Sequence, residues 1–417
     1  MVHGMLHFIE KSPTCFHAVQ TAANILEESG FVRLREDWNL QSGGKYYTVR
    51  GGSSLIAFRL PKAVPTGFLV AAAHTDSPCF RIRDNSDMEG PYARISTERY
   101  GGMLQAPWLD RPLSIAGRVL VRENNCVKTK LVDFEEPVAL IPNVAIHLNR
   151  EANNGLKYDP ARDLFPLYGG KGVSFRQNLA KKLNCEVQQI LATDLFVYNP
   201  QKGIVWGTDN AFVSAPRLDD LACVYGCLQG LLMAEDPAAV TVMGLFDHEE
   251  IGSETKQGAA STFLPETLEK ISQTTGTDWR KNSMLLSCDN GHGLHPNRPE
   301  LSDQKEAPVL NGGVVIKHSP RYATDGLSCA VLSELCRKAG VPVQHFSNRP
   351  DQPGGATLGN IANTKVGMAA VDMGLAQLAM HSCFETAGSR DVSYFVQAVR
   401  AFYEAKLILT EDSVTMA

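Results

Sequence analysis

Residues 239–253 open with an apolar, β-branched run that ends at Phe246 and gives way to Glu249 and Glu250, with Gly252 and Ser253 close behind. Such a run predicts a short strand buried on both faces, and the glycine and serine predict a sharp turn out of it. Two carboxylates at the end of a buried strand are costly unless a cation or a proton holds them there. By itself the pair also fits a solvated acidic turn capping a helix. Its meaning depends on whether other strand ends carry ligand-type residues.

They do. Residues 67–73 form another short apolar run, which stops at His74, Thr75, Asp76, Ser77 and Pro78. A histidine and an aspartate two apart at a strand end can point into one crevice, one as ligand and the other orienting its ring. The run 283–288 ends at Asp289, and 366–372 leads through 373–380 to His381. Residues 218–232 place Leu218, Leu221, Ala222, Tyr225, Leu228 and Leu232 on one helical face, with Asp219 and Asp220 in its first turn. One of those aspartates is explained by helix capping, and the other is left as a candidate ligand. Helices are also expected at 12–29 and from 392 to 409, and further strands at 46–49, 54–60, 313–317 and 341–344. Strands separated by helical stretches predict an α/β fold, a central mixed sheet flanked by helices, with its ligand site outside the strands' carboxyl ends.

The texture changes between about 83 and 214, where short alternating runs such as 114–121 and 127–132 are separated by Gly, Asn and Pro. This predicts an inserted β-rich module with one short helix at 177–183 and a polar loop over 149–168. The glycine-rich stretch 354–359 fits neither nucleotide-binding fingerprint.

Composition narrows the partners. At 417 residues the chain is long enough for two or three domains, and its 44% hydrophobic content supports a sizeable core. A formal net charge of -5 gives no basic field for nucleic acid. No run approaches the roughly 18 apolar residues of a membrane span, and residues 1–11 lack a signal-peptide stretch. The ten cysteines are scattered without a Cys-x-x-Cys pair, and Cys223 and Cys227 read as small core residues. A soluble, reduced, cytoplasmic protein is expected.

The gathered inventory of two histidines, two aspartates and two glutamates suits borderline-hard cations: zinc first, with manganese or cobalt as alternatives. One arrangement gives two metals three protein ligands each. His74 and Asp289 hold one ion, His381 and Glu250 the other, and Asp219 bridges them. Glu249 is then unligated and placed to act as general base. Two ions about 3.5–4 Å apart can share a water, lower its pKa and stabilise a tetrahedral oxyanion. That is the chemistry of a co-catalytic amide hydrolase.

The blocks His74–Pro78, Pro216–Asp219, Glu249–Ser253, His295–Asn297, Arg321–Ala323 and Met380–Ser382 resemble, in order, the aspartyl aminopeptidase family of dizinc exopeptidases, peptidase family M18. The resemblance runs over nearly the whole chain. It implies a two-zinc α/β catalytic domain, residues 1–82 plus 216–417, interrupted by a β-rich dimerisation domain, residues 83–215. It also implies a hydrolase that removes N-terminal residues, often acidic ones, and a homo-oligomer built up to a tetrahedral dodecamer. Carried over by position, the metal ligands fall on His74, Asp219, Glu250, Asp289 and His381, the general base on Glu249 and the ring-orienting aspartate on Asp76. His147 resembles a histidine that enters a neighbouring subunit's active site to meet substrate. Lys317 resembles a basic residue near the substrate pocket, suited to an acidic side chain. Departures from the pattern, at Gly291, Gly293, Thr324 and Asp325, touch none of these ligands and bear on side-chain selectivity. The competing readings are a dimetal deacylase or dipeptidase on the same site, and a non-catalytic binding or cargo protein on the same fold.

Overall fold

The computed structural model describes residues 1–352, 354–410 and 412–416. The chain forms two compact units: residues 1–76, 203–380 and 385–417 make the first, and residues 77–202 with 381–384 the second. The breaks fall at 76/77 and 202/203, whereas the change of sequence texture suggested 83 and 215. The reason is pairing. Strands Ile204–Trp206 and Phe212–Ala215, short strands that continue the insert's β texture, hydrogen-bond in the first unit, the latter to Glu385–Gly388.

The first unit is built on a nine-stranded sheet. In spatial order its strands are Val32–Arg33, Lys45–Arg50, Ser54–Arg59, Val240–Phe246, Phe68–His74, Met284–Cys288, Ala369–Gly374, Val314–His318 and Val343–Ser347. Val240–Phe246, Phe68–His74, Met284–Cys288 and Ala369–Gly374 run parallel in succession, so their carboxyl ends share one edge. Their sequences are near-continuous apolar runs because both faces are covered. Leu69, Ala71 and Ala73 join one core with helices Cys15–Glu28, Leu218–Met233 and Asp391–Glu404. Phe68, Val70 and Ala72 alternate into the opposite core, under helices Phe263–Thr275 and Leu358–Val366.

A five-stranded sheet, in the order Ile204–Trp206, Phe212–Ala215, Glu385–Gly388, Ala376–Leu378 and Gly291–His292, lies in the same unit. The helical periodicity expected through 409 stops at Glu404, where Ala405 turns extended, and Leu407–Leu409 pairs with Val414–Met416 instead. No helix among the described residues is long and apolar enough to cross a membrane.

The second unit is a six-stranded sheet in the order Cys126–Asp133, Ser114–Glu123, Ile190–Tyr198, Cys79–Met88, Tyr92–Tyr100 and Leu167–Gly170, with antiparallel pairings throughout. Helix Phe175–Leu183 packs into its core, where Phe175 and Leu179 meet Ile82, Ile115 and Val132. Ser174 caps the helix, Asp87 accepts the Phe175 N–H at 2.6 Å, and Asn184 closes the far end in the left-handed region. Residues 144–148 form an exposed turn on this unit, with Leu148 83% accessible beside His147.

One close approach ties the sheet to its edge. A Cβ at Gly374 would lie 1.9 Å from the carbonyl oxygen of Asp289. Gly374→Ala is therefore expected to cost about 1–3 kcal/mol through overpacking. A denaturant midpoint equal to that of the wild type would show that the strand end has room to spare.

Candidate metal centre

The shared edge of the parallel strands gathers the ligand-type residues. His74 is the last residue of its strand, and Thr75 continues the edge by donating its N–H to Phe246 O at 2.8 Å. Beyond Phe246 the chain turns through His248, in the left-handed region, into the single 3-10 turn Glu249–Ile251. Gly252 ends that turn at φ +104°, a value that a side chain would strain. Asp289 follows Met284–Cys288 and stays in register by donating its N–H to Met373 O at 3.0 Å.

Asp76 organises this edge. Its backbone carbonyl oxygen lies 3.1 Å from His74 Nδ1, and its Oδ1 lies 3.4 Å from the same nitrogen. The same carboxylate accepts the Glu249 N–H on Oδ1 at 3.1 Å and the Glu250 N–H on Oδ2 at 3.2 Å. One buried side chain thus fixes both the imidazole and the paired glutamates. With Nδ1 held there, Nε2 of His74 faces Asp219 Oδ1 at 3.3 Å and Asp289 Oδ1 at 3.9 Å.

Ligand atoms of His74, Asp219, Asp220 and Asp289 lie within 4.8 Å of one another, and so do those of His74, Glu249 and Glu250. Asp219 and Asp220 open helix Leu218–Met233 with non-helical backbone angles and are joined by a cis peptide bond. Rather than sharing a capping role, they turn inward. Asp220 accepts the His74 N–H at 3.2 Å, and its Oδ1 is buried without a hydrogen-bond partner.

Several supporting residues gave no sequence signal. Glu385, in the five-stranded sheet, accepts the Asp219 N–H at 3.0 Å. Asn290 donates to Leu218 O at 3.0 Å and to Gln377 Oε1 at 2.7 Å, pinning the Asp289 turn to the helix start.

Lys317 is neither exposed nor on an edge strand. Val314–His318 lies between Ala369–Gly374 and Val343–Ser347, and Lys317 is buried. Its Nζ donates to Asp289 Oδ2 at 3.0 Å and to Asn290 O at 2.9 Å, beneath the Tyr322 ring at 5.4 Å. His381 lies in the second unit at φ +64°, with Nδ1 2.6 Å from Gly102 O and its own carbonyl accepting the Leu104 N–H at 3.0 Å. His147 is exposed on that unit.

The electrostatics expose a deficit of positive charge. Burial pushes the Glu249 carboxyl up to about 7, with Asp289, Asp76 and Asp219 adding to the shift and His74 opposing it. Asp220 and Asp289 are raised by burial too, although His74 and Lys317 pull them back. Burial disfavours a charged His74, yet Asp220, Asp219 and Asp76 hold its pKa well above the ordinary imidazole value. Lys317 balances only part of the surrounding charge. One imidazole among several desolvated carboxylates, with an unpartnered Asp220 oxygen, fits a borderline-hard divalent cation such as zinc.

Comparisons with known proteins bear on the same residues. A family profile described as aminopeptidase I zinc metalloprotease (M18) matches residues 8–403. The probable M18 family aminopeptidase 2 of Clostridium novyi is 41% identical over 421 aligned positions, which span 96% of this chain and 97% of that protein. A chain in the cryo-EM structure of the Ape4 and Nbr1 complex superposes with a TM-score of 0.93 at 33% identity, covering 97% of this chain and 85% of that one. The S. cerevisiae mApe1 dodecamer gives a TM-score of 0.85 at 30% identity, with 97% and 96% covered. Desolvated carboxylates around His74 suit a zinc site, and with these likenesses across almost its full length the chain belongs to the M18 family of zinc metallo-aminopeptidases.

Proposed function

We propose that this aminopeptidase is a cytoplasmic, two-zinc enzyme that removes acidic N-terminal residues, with His74, Asp219, Glu250, Asp289 and His381 as ligands and Glu249 as general base. Manganese or cobalt could replace zinc in the same donor set. The observation that carries the reading is the double grip of Asp76, which holds the His74 ring through Nδ1 and the Glu249–Glu250 turn through its carboxylate. Bound zinc supplies Lewis acidity toward the scissile carbonyl and the attacking water.

The chain's own residues supply the rest. Glu249, held by its backbone N–H and raised toward neutrality by burial, takes the water's proton and delivers it to the departing amine. Asp76 keeps Nε2 of His74 as the ligand nitrogen, and the Gly102 carbonyl facing Nδ1 of His381 favours Nε2 there as well. Lys317 holds Asp289 by one oxygen, which leaves the other for a ligand bond. Two N–H groups of its ammonium are engaged, and the third is the one we assign to an acidic substrate side chain. Self-association follows the dodecameric neighbour, and the exposed apolar turn around His147 suits a contact with a second copy.

Glu249→Gln should keep its zinc, read by elemental analysis, while kcat falls by roughly 10²–10⁴-fold; turnover close to wild type would remove Glu249 from the role. Lys317→Met is expected to lower kcat/KM for Glu- and Asp-peptides about tenfold or more beyond its effect on Leu-peptides, a charge-assisted contact being worth about 1.5–3 kcal/mol. Equal losses on all substrates would confine Lys317 to holding Asp289. Mixing His147→Ala chains with Glu249→Gln chains should recover part of the activity that each lacks alone. If mixtures stay as inactive as their components, His147 does not act across subunits.

A further inference from the structure

A second group of metal-ligand side chains lies apart from the carboxylate cluster. His318 ends strand Val314–His318, His345 lies on the neighbouring strand Val343–Ser347, and Cys329 is in the first turn of helix Gly326–Lys338. Their ligand atoms all fall within 4.8 Å of one another. Nε2 of His318 lies 2.9 Å from Nδ1 of His345, and Cys329 Sγ lies 4.0 Å from that same Nε2. His318 and Cys329 are half-buried and His345 is exposed, so an ion can enter from solvent.

We propose that His318, Cys329 and His345 form an additional metal site, which takes a borderline-to-soft divalent ion such as zinc, cobalt or cadmium. Two imidazoles and a thiolate select such ions over calcium or magnesium, which prefer oxygen. With bonds of about 2.0–2.1 Å to nitrogen and about 2.3 Å to sulfur, tetrahedral ligands stand about 3.3–3.7 Å apart. The separations of 2.9 and 4.0 Å bracket that range and the third lies within 4.8 Å, so side-chain adjustments of about an ångström or less at each ligand close the site. The fourth position, on the solvent side, goes to water. Binding releases the Cys329 thiol proton, and the ring that carries the hydrogen shared between the imidazoles moves it to its outer nitrogen.

An ion held there ties the helix to the last two strands of the sheet. It closes the base of the 319–325 turn, which lays Tyr322 over Lys317 and donates the Ala323 N–H to Asp372 at 2.6 Å. Metal at this site therefore stiffens the surroundings of Lys317 without touching the reacting groups.

The carboxylate cluster has no sulfur ligand, so cobalt separates the two sites. The full-length chain, stripped by a chelator and titrated with Co²⁺, should develop a thiolate-to-cobalt charge-transfer band in the near ultraviolet. The band should vanish in Cys329→Ser and in His345→Asn, each of which should bind one cobalt fewer per chain. His345 is exposed, so its variant keeps the test valid if Cys329→Ser folds poorly. Two outcomes overturn the proposal: no such band in the wild type, as an ordinary His–His hydrogen bond with a bystander thiol would give, or a band that survives both substitutions.

Discussion

Carboxylates taken out of water beside one another repel strongly. Two unit charges 4 Å apart interact by about 4 kcal/mol at an effective dielectric of 20. Asp76, Asp219, Asp220 and Asp289 are all buried around His74, and the only buried lysine among the described residues is Lys317, bonded to one Asp289 oxygen. Such an arrangement persists because the scaffold holds each acid separately: backbone N–H groups meet Asp76, the His74 N–H meets Asp220, and Lys317 meets Asp289. For Asp220 and Asp289 the bond satisfies one oxygen and leaves the other for a further contact, whereas Asp76 has both oxygens engaged. The fold thereby holds a site whose negative charge a cation or added protons must balance, and the raised pKa of Glu249 reports the same imbalance.

The parallel strands make that storage affordable. Their flanks are sealed by two apolar cores, so the strand ends can be held in register without relying on the polar groups themselves. Position follows from the sheet, and chemistry from what each strand carries at its last residue. The backbone contact of Gly374 with Asp289 and the Thr75 bond to Phe246 O make neighbouring ends mechanically one piece. A shift at any of them is felt by His74.

The parts that could be read from sequence share one physical trait. Runs such as 240–246 and 284–288 are buried on both faces, so they are apolar but for Thr241 and Ser287 and their ends stand out; His74, Glu249, Glu250 and Asp289 lie at such ends. Glu385 and Gln377 remained silent because they lie in strands of four and three residues, too short to carry a period. Gly291–His292 is shorter still. Of Asp219 and Asp220, the sequence explains one as a helix cap and leaves the other a candidate ligand; that both turn inward is not legible, since a departure from helical angles at a helix start leaves no trace in composition. The boundary at 202/203 leaves no mark for a related reason: short strands such as 204–206 and 212–215 look alike whichever sheet they join.

Lys317 shows how burial can reverse the meaning of a charge. A lysine in a strand read from sequence alone suggests a solvated edge, yet this strand is internal and its ammonium is desolvated. Burial opposes its charge, but Asp289 outweighs that and raises the pKa above the ordinary lysine value. A compact ammonium suits the position better than a guanidinium, whose planar fork would have to span Asp289 Oδ2 and Asn290 O from a stem already in contact range of Gly291. A Cβ at Gly291 would lie 3.5 Å from Lys317 Cδ, an ordinary van der Waals contact, so the space beside the lysine stem is filled by anything longer. Larger residues at that position would press on the lysine stem and, through it, on Asp289. Packing around Lys317 and the position of the Asp289 carboxylate are therefore linked through one side chain, and a change made beside Lys317 also acts on the carboxylate it holds.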